Sequence, residues 1–413
     1  MKEDGDTLRP WSMDKLAVTI FVLFLLSGEA RDLLSQSGLH WAYLLLLSFG
    51  VGFVVTPVIY ALASRIGAMD VPAGRKAHGV PTALLGGVAI YLSFAVTVLR
   101  NFAFTDELKG VALAGTLILV VGLVDDLREL SARWKLLAQL VAVAILIHFG
   151  VVISFLPDTL LGMVGEWLLT AIWVVGITNA VNFLDGMDGL AAGSTAINAM
   201  FFGLVAWQNS QFDMMFLALP LLGACLSFLV YNFRPGQRAW IFLGDAGSTF
   251  LGFMVSALAV MGDWASHHIV GLIVPILILG VPIFDMTFTT VMRVSTGQVR
   301  SFRQWIEFTG RDHIHHRLED LRVGRVGAVL IVYVVSIWLG LSALVLKNTS
   351  GINALLQVGQ SVIVFLMLAF FMVFVRRQYT RIADTAIDDA FGRISNTAGP
   401  TERTDTEDSS HSG

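Results

Sequence analysis

The chain is poor in charge and nearly devoid of cysteine. Charged side chains make up 14% of its 413 residues and hydrophobic ones 55%, where a soluble domain carries roughly 25% charged residues. So few charges cannot clothe a water-soluble surface, and the composition describes a polytopic membrane protein. The single cysteine, Cys225 in "LLGACLSFLV", has no second thiol to meet, which excludes a disulfide framework and leaves it as a small packing residue. No clear small-residue cleavage site follows the first apolar run, and Glu3, Asp4 and Asp6 precede it, so a removable signal peptide is not expected. No period of roughly 20 to 50 residues recurs, which removes the signature of a repeat transporter.

What the chain has in quantity is long apolar runs. Crossing a hydrocarbon core takes roughly 20 helical residues, and runs of that order begin near Trp41, Ala83, Gly110, Trp134, Glu166, Leu190, Asp213, Ser248, Ile269, Val326 and Ala354. The expected fold is an all-α bundle of about eleven transmembrane helices. The shorter run Leu16 to Leu26 is either an extra N-terminal crossing or an interfacial helix. This divides the chain into an N-terminal extension (1–39), a polytopic domain (40–382) and, from Ala383, a polar tail too poor in apolar residues to pack, expected to be disordered.

Lysine and arginine concentrate in alternate loops. One set holds Arg65, Arg75 and Lys76, then Arg128, Arg133 and Lys135, then Arg234 and Arg238, then the arginines from Arg293 to Arg325, then Arg376, Arg377 and Arg381; the other holds little beyond Arg100, Lys109 and Lys347. The positive-inside rule puts the first set, and the C-terminus, in the cytoplasm.

The carboxylate-bearing motifs fall on that same face: Asp125 and Asp126 in "GLVDDLREL", Asp185 and Asp188 in "NFLDGMDGL", Asp245 in "IFLGDAGS", and the histidine-rich "GRDHIHHRLED" from Gly310 to Asp320. Each has a plain reading. Asp125 and Asp126 could be a solvated helix end, although adjacent carboxylates repel unless a cation such as Arg128 or Lys135 compensates. Asp188 and Asp245 could be N-caps. The plain reading leaves Asn179 and Asn182 without a task. A helix N-terminus with a carboxylate suits a phosphate and its magnesium ion. His313, His315 and His316 lack the thiolates or spacing of a zinc site and, among Arg311 and Arg317, suit anionic oxygen. Ionisable groups gathered at one edge of a bilayer are a functional-site hypothesis by default, and together these suit phosphoryl transfer.

In order along the chain, "RKAHGVPTALLGG", "VDDLREL" with Lys135, "NAVNFLDGMDGL", "YNFRP" with "FLGDAGS", and "HIHHRL" resemble the polyprenyl-phosphate N-acetylhexosamine-1-phosphate transferase family over roughly Trp41 to Arg376. The resemblance implies an enzyme of the bacterial plasma membrane, active at the cytoplasmic face, that moves a sugar-1-phosphate from a UDP-sugar to a polyprenyl phosphate and releases UMP. Magnesium, with manganese able to substitute, would be held by Asp245 with Asp185 beside it. Asp125 would sit nearest the attacking lipid phosphate with Asp126 as its acidic partner. Asn179, Asn182, Asp185 and Asp188 would line the nucleotide and diphosphate region, Asn232 would support it, and Phe242 would stack on uracil. His313, His315, His316 and Arg317 would bind the diphosphate or sugar, and Lys76, His78 and Lys135 would contact phosphate.

"HIHHRL", with Ile314 interrupting the histidines, resembles the branch that transfers N-acetylglucosamine-1-phosphate in cell-envelope glycan synthesis (teichoic acid, O-antigen). The alternative is the branch that transfers phospho-N-acetylmuramoyl-pentapeptide. Nucleic acid is not an expected partner, and the family allows a homodimer. Direct in-line attack by the lipid phosphate is the expected mechanism, with a covalent aspartyl route open beside it. A rival of another class, an ion-coupled transporter, would place ionisable groups at mid-span; the expected spans show few, His148 being the clearest.

Overall fold

A computed structural model describes residues 13–70, 81–101, 105–265, 268–301, 304, 310, 313–320, 323–349, 351–370 and 373–374. The polar tail from Ala383, and Lys76 and His78, lie outside the described residues. The described chain is almost wholly helical: α1 (Met13–Leu25), α2 (Gly28–Gln36), α3 (His40–Ile66), α4 (Gly86–Asn101), α5 (Asp106–Leu127), α6 (Ala132–His148), α7 (Leu160–Leu184), α8 (Leu190–Gln208), α9 (Phe212–Asn232), α10 (Gly244–Met261), α11 (His268–Ile278), α12 (Gly280–Ser295), α13 (Ile314–Asp320), α14 (Gly324–Leu346) and α15 (Gly351–Phe370). Two short antiparallel strands, Met69–Asp70 and Thr82–Ala83, with a parallel bridge from Ala83 to Ile241, stitch the loops at one end of the bundle.

Helices stand at each of the eleven expected positions, but among the described residues eight are long and apolar enough to cross a membrane, nine if the bent pair α11–α12 counts as one span. The count of eleven is therefore not reached: α4 has 16 residues and α6 has 17, with Arg133 and Lys135 in its first turn. The Leu16 run forms a short apolar helix whose Val22 and Leu25 pack on Tyr43, Leu44 and Leu47 of α3. Outward-facing side chains are apolar, as with Ile352, Leu355, Leu356, Ile363 and Leu366 of α15, a surface suited to lipid rather than water.

Helix α10 is the axis of the bundle. Every side chain from Ala246 to Ala259 is buried, against α4, α5, α7 and α8. Small residues permit the contact, as in membrane helices generally. A Cβ on Gly87 would lie 2.2 Å from the Gly247 nitrogen, and one on Gly122 would lie 2.5 Å from Ala246 Cα. The second of these approaches brings the C-terminal end of α5 against the first turn of α10.

The span from α11 to α12 bends by 81° between Ile278 and Gly280. Pro282 explains the break: with no N–H it cannot donate to the carbonyl four residues earlier, that of Ile278. In a membrane interior an orphan carbonyl must find another donor. Asn198 of α8, itself buried, provides it, with its amide nitrogen 2.8 Å from the Ile278 oxygen when oriented as donor. Asn198→Leu should therefore lower stability by roughly 1–3 kcal/mol, the cost of one buried unsatisfied group. Thermal unfolding in detergent checks it, and an unchanged Tm would overturn this account of the bend.

Candidate active site

Asp125 and Asp126 close α5, and one residue of helical rotation sends them to different partners. Asp125 accepts from Lys135 Nζ at 2.7 Å and from the Leu130 backbone N–H at 2.6 Å. Asp126 accepts instead from the backbone N–H groups of Asp245 and Ala246, at 2.7 and 3.1 Å. It therefore caps the N-terminus of α10 from another helix, where free amides and the helix dipole favour an anion. The α10 start has no side-chain cap of its own, so Asp245 is not an N-cap, and its carboxylate is left for the site.

Asp245 accepts from Asn182 Nδ2 at 2.7 Å and from Lys135 Nζ at 3.2 Å. Lys135 thus stands between Asp125 and Asp245 as the cation that lets the two coexist; Arg128, the other candidate, is exposed at the end of α5. Exposure separates the two acids: the Asp125 side chain is 5% accessible and that of Asp245 36%. Asp245 and Lys135 are the groups a solute can reach. The Asn182 amide also donates to Ser248 Oγ at 2.8 Å, fixing α7 to α10.

Asp185 follows the last residue of α7, and the turn to α8 ends on Gly189, which has φ +83° and no side-chain cap. Asp188 is therefore not the N-cap of α8. The turn is held otherwise: Gly189 donates its N–H to Asn232 Oδ1 at 2.6 Å and accepts from Tyr333 Oη at 2.6 Å, and Asn232 Nδ2 donates to the Ile241 carbonyl at 2.9 Å. Both ends of the buried Asn232 amide thus hold backbone, so it supports the turn. Asn179 exchanges hydrogen bonds with Gln139 of α6, at 2.7 and 3.2 Å. Gln139, one turn beyond Lys135, is a site residue that sequence reasoning missed. Phe242 donates its N–H to Ala83 and accepts from Gly86, with its side chain half-buried.

The histidine motif lies at the start of α13. His313 and Arg317 are buried; the side chains of His315 and His316 lie outside the described residues. His313 stacks on Phe183, beside Asn182, at 5.0 Å between ring centroids, and its Nδ1 is 2.7 Å from Asp285 Oδ2. The Arg317 guanidinium lies 5.2 Å over the Phe288 ring of α12. Asp285 is the second residue that sequence reasoning missed. It sits within an expected span, in "VPIFDMTF", and is almost wholly buried. His148, by contrast, is exposed at the end of α6.

The accessible donors at this end are carboxylate oxygens, those of Asp245 foremost, with Asp185 near enough to feel the charges of Asp245 and Asp188. Such a set fits magnesium. Among the described residues no group of three or more His, Cys, Asp or Glu side chains is placed to hold a metal ion. Magnesium typically takes one or two carboxylates and completes its shell with water and substrate phosphates.

An acidic, lysine-bridged centre at the helix ends of a polytopic membrane protein is a charged site of the kind that integral membrane enzymes carry. Residues 108–263 match the glycosyl transferase family 4 model. The chain is 35% identical over 303 residues to a probable undecaprenyl-phosphate N-acetylglucosaminyl 1-phosphate transferase of Bacillus subtilis (strain 168), covering 72% of this chain and 82% of that protein. It is 32% identical over 328 residues to a decaprenyl-phosphate N-acetylglucosaminephosphotransferase of Mycolicibacterium smegmatis, covering 71% and 78%, and 29% identical over 310 residues to a phospho-N-acetylmuramoyl-pentapeptide-transferase of Lactiplantibacillus plantarum, covering 69% and 91%. The protein belongs to glycosyl transferase family 4.

Burial, and then the charges of Asp245, Asp126 and Asp188, hold the Asp185 carboxyl well above the ordinary value of 3.8. The fold thus disfavours the ionised form. The penalty is absent below 3.8, where folded and unfolded chains are both protonated, grows as pH rises towards the raised value, and is complete above it. Asp185→Asn should raise the Tm at neutral and alkaline pH, with the gain fading as pH falls towards 4. Thermal unfolding across pH checks it; a gain that grows on acidification would reverse the sign.

Proposed function

We propose that this protein transfers N-acetylglucosamine-1-phosphate from a UDP-sugar to a polyprenyl phosphate, undecaprenyl phosphate in the first instance, at the cytoplasmic face of a bacterial plasma membrane, releasing UMP. The observation that carries the reading is the Asp125–Lys135–Asp245 bridge, set against an α10 N-terminus capped by Asp126. Two anionic reactants must meet there, so charge neutralisation is the main task. Lys135, pinned from behind by Asp125, offers its ammonium to phosphate. Asp245, held by Asn182, is the most exposed carboxylate of the bridge and the one to hold magnesium, with Asp185 and Asp188 nearby. Bound there, magnesium would act as a Lewis acid, neutralising the diphosphate and the departing UMP. Arg317 and the histidine helix would screen charge on the sugar side, and Phe242 would meet the uracil.

Direct in-line attack by the lipid phosphate suits this geometry better than a covalent aspartyl route. Asp125 has both oxygens engaged and lies 5% accessible, a poor position for a nucleophile. It orients Lys135 instead. The N-acetylglucosamine branch is favoured over the muramoyl-pentapeptide branch by "HIHHRL" and by the higher identity to the Bacillus subtilis protein. The transporter reading loses ground because Asp285, the buried carboxylate within a span, is engaged by a loop histidine.

The full-length protein in detergent, given undecaprenyl phosphate, magnesium and UDP-N-acetylglucosamine, should release UMP. Asp245→Asn should reduce the rate by about 100-fold or more, as expected on losing a group that stabilises transition-state charge. Release only with the UDP-muramoyl-pentapeptide donor would favour the other branch, and none with any donor would refute the reaction. A chirally labelled phosphorothioate donor should show inversion at phosphorus; retention would restore the covalent route.

A further inference from the structure

Asp285, His313 and Arg293 form a buried chain that the expected roles of the histidine motif do not contain. All three are nearly inaccessible, at 1%, 6% and 4%. Asp285 Oδ2 lies 2.7 Å from His313 Nδ1, Asp285 Oδ1 accepts from the Ile314 backbone N–H at 2.6 Å, and Arg293 Nη2 lies 3.3 Å from His313 Nε2. A guanidinium has donors and no acceptor. Nε2 must therefore accept from Arg293, the ring proton must sit on Nδ1, and that N–H donates to Asp285. Both ring nitrogens are engaged within the protein. The pattern selects one arrangement of the His313 ring, with its face against Phe183.

We propose that Asp285 is a positioning residue for the transfer, acting through His313, which itself makes no contact with substrate but fixes the helix bearing His315, His316 and Arg317 against the bent helix α12 and the Asn182 turn. This rests on the reaction proposed above. The link joins three parts of the site. Asp285 and Arg293 lie on α12, His313 and Ile314 open α13, and Phe183 adjoins the Asn182 that holds Asp245. A carboxylate that fixes a histidine tautomer is a known device, and its loss is felt in rate because the imidazole turns the wrong donor towards its other neighbour.

Asp285→Asn tests the carboxylate with little change of shape. The amide has one oxygen; if it keeps the Ile314 N–H, its NH2 faces His313 Nδ1 and forces the proton onto Nε2, donor against donor with Arg293. The experiment is steady-state UMP release by full-length wild type, Asp285→Asn, His313→Phe and the double variant, with Tm measured in parallel. Imidazole 15N NMR of the wild type reports the tautomer, His313 being assigned by its loss in His313→Phe. Asp285→Asn should lower kcat by about 10- to 100-fold, in the range of lost supporting contacts, with KM for the UDP-sugar moving less than about threefold. In the His313→Phe background the same change should cost less than about twofold further, since there is no imidazole left to orient. The wild-type His313 signals should show a neutral ring with its proton on Nδ1.

Unchanged kcat in Asp285→Asn beside an active wild type would overturn the proposal, as would an equal loss in both backgrounds or a His313 protonated on Nε2. If Asp285→Asn fails to fold, the wild-type tautomer, assigned through His313→Phe or, should that also misfold, through the milder His313→Gln, still decides, since a proton on Nε2 excludes the chain. A wild type that releases no UMP from any donor would refute the reaction, while the tautomer would separately test the buried chain.

Discussion

The structure depends on keeping several carboxylates within a few ångströms at one end of a bundle where water is scarce. Like charges so placed destabilise a fold unless each is neutralised or hydrogen-bonded. Each acid is handled differently. Lys135 lies between Asp125 and Asp245, and the amides at the start of α10 receive Asp126. Asp185 bears the residue of the problem, with its carboxyl held high by burial and by its acidic neighbours. A site of this kind trades stability for the ability to take up compensating cations and anionic substrates.

The small residues that make α10 the axis are the geometric condition for that arrangement. Asp126 reaches the α10 amides because Gly122, one turn earlier on α5, lets the two helices touch at Ala246. A side chain at either contact would part the helices and, with them, the cap from its amides. Packing in the apolar interior and electrostatics at its edge are thus one constraint. The same holds at the break in the α11–α12 span, where the missing N–H of Pro282 is answered by Asn198 and the redirected α12 carries Asp285 to His313.

Much of this was legible in the sequence because membrane chains use charge so sparingly. The runs foretell the helices, and the structure brings Asp125, Asp126, Asn182, Asp185, Lys135 and Asp245 close together; their roles are those proposed above. What was not legible depends on rotation and on contacts between distant segments. Nothing in "VDDL" says which aspartate meets a lysine and which caps a helix more than 100 residues away. Glycine beside Asp188 suggests a cap, but the turn is held by Asn232 and Tyr333 from other helices. Asp285 and Gln139 were passed over because single polar residues in apolar runs carry no motif. Asp285 had one signal, a carboxylate where burial without a partner is prohibitive, and a demand for that partner would have led to the histidine motif.

The exposure gradient across the lysine bridge argues for the direction in which the site works. Asp125 is nearly sealed, Lys135 is 30% accessible and Asp245 36%. The buried acid therefore serves the lysine, and the lysine with the exposed acid serves what arrives from outside. A cation held by Asp245 would compete with Lys135 for its Oδ2, while the Lys135 ammonium is also held by Asp125 at 2.7 Å. Lys135 would then be left to meet a phosphate oxygen in the reaction proposed above. Under the proposed reaction, a metal at one end of the bridge and an anionic oxygen at its middle would be coupled through the single 3.2 Å contact between Lys135 and Asp245, so that neither charge need be taken up in the apolar surroundings without the other.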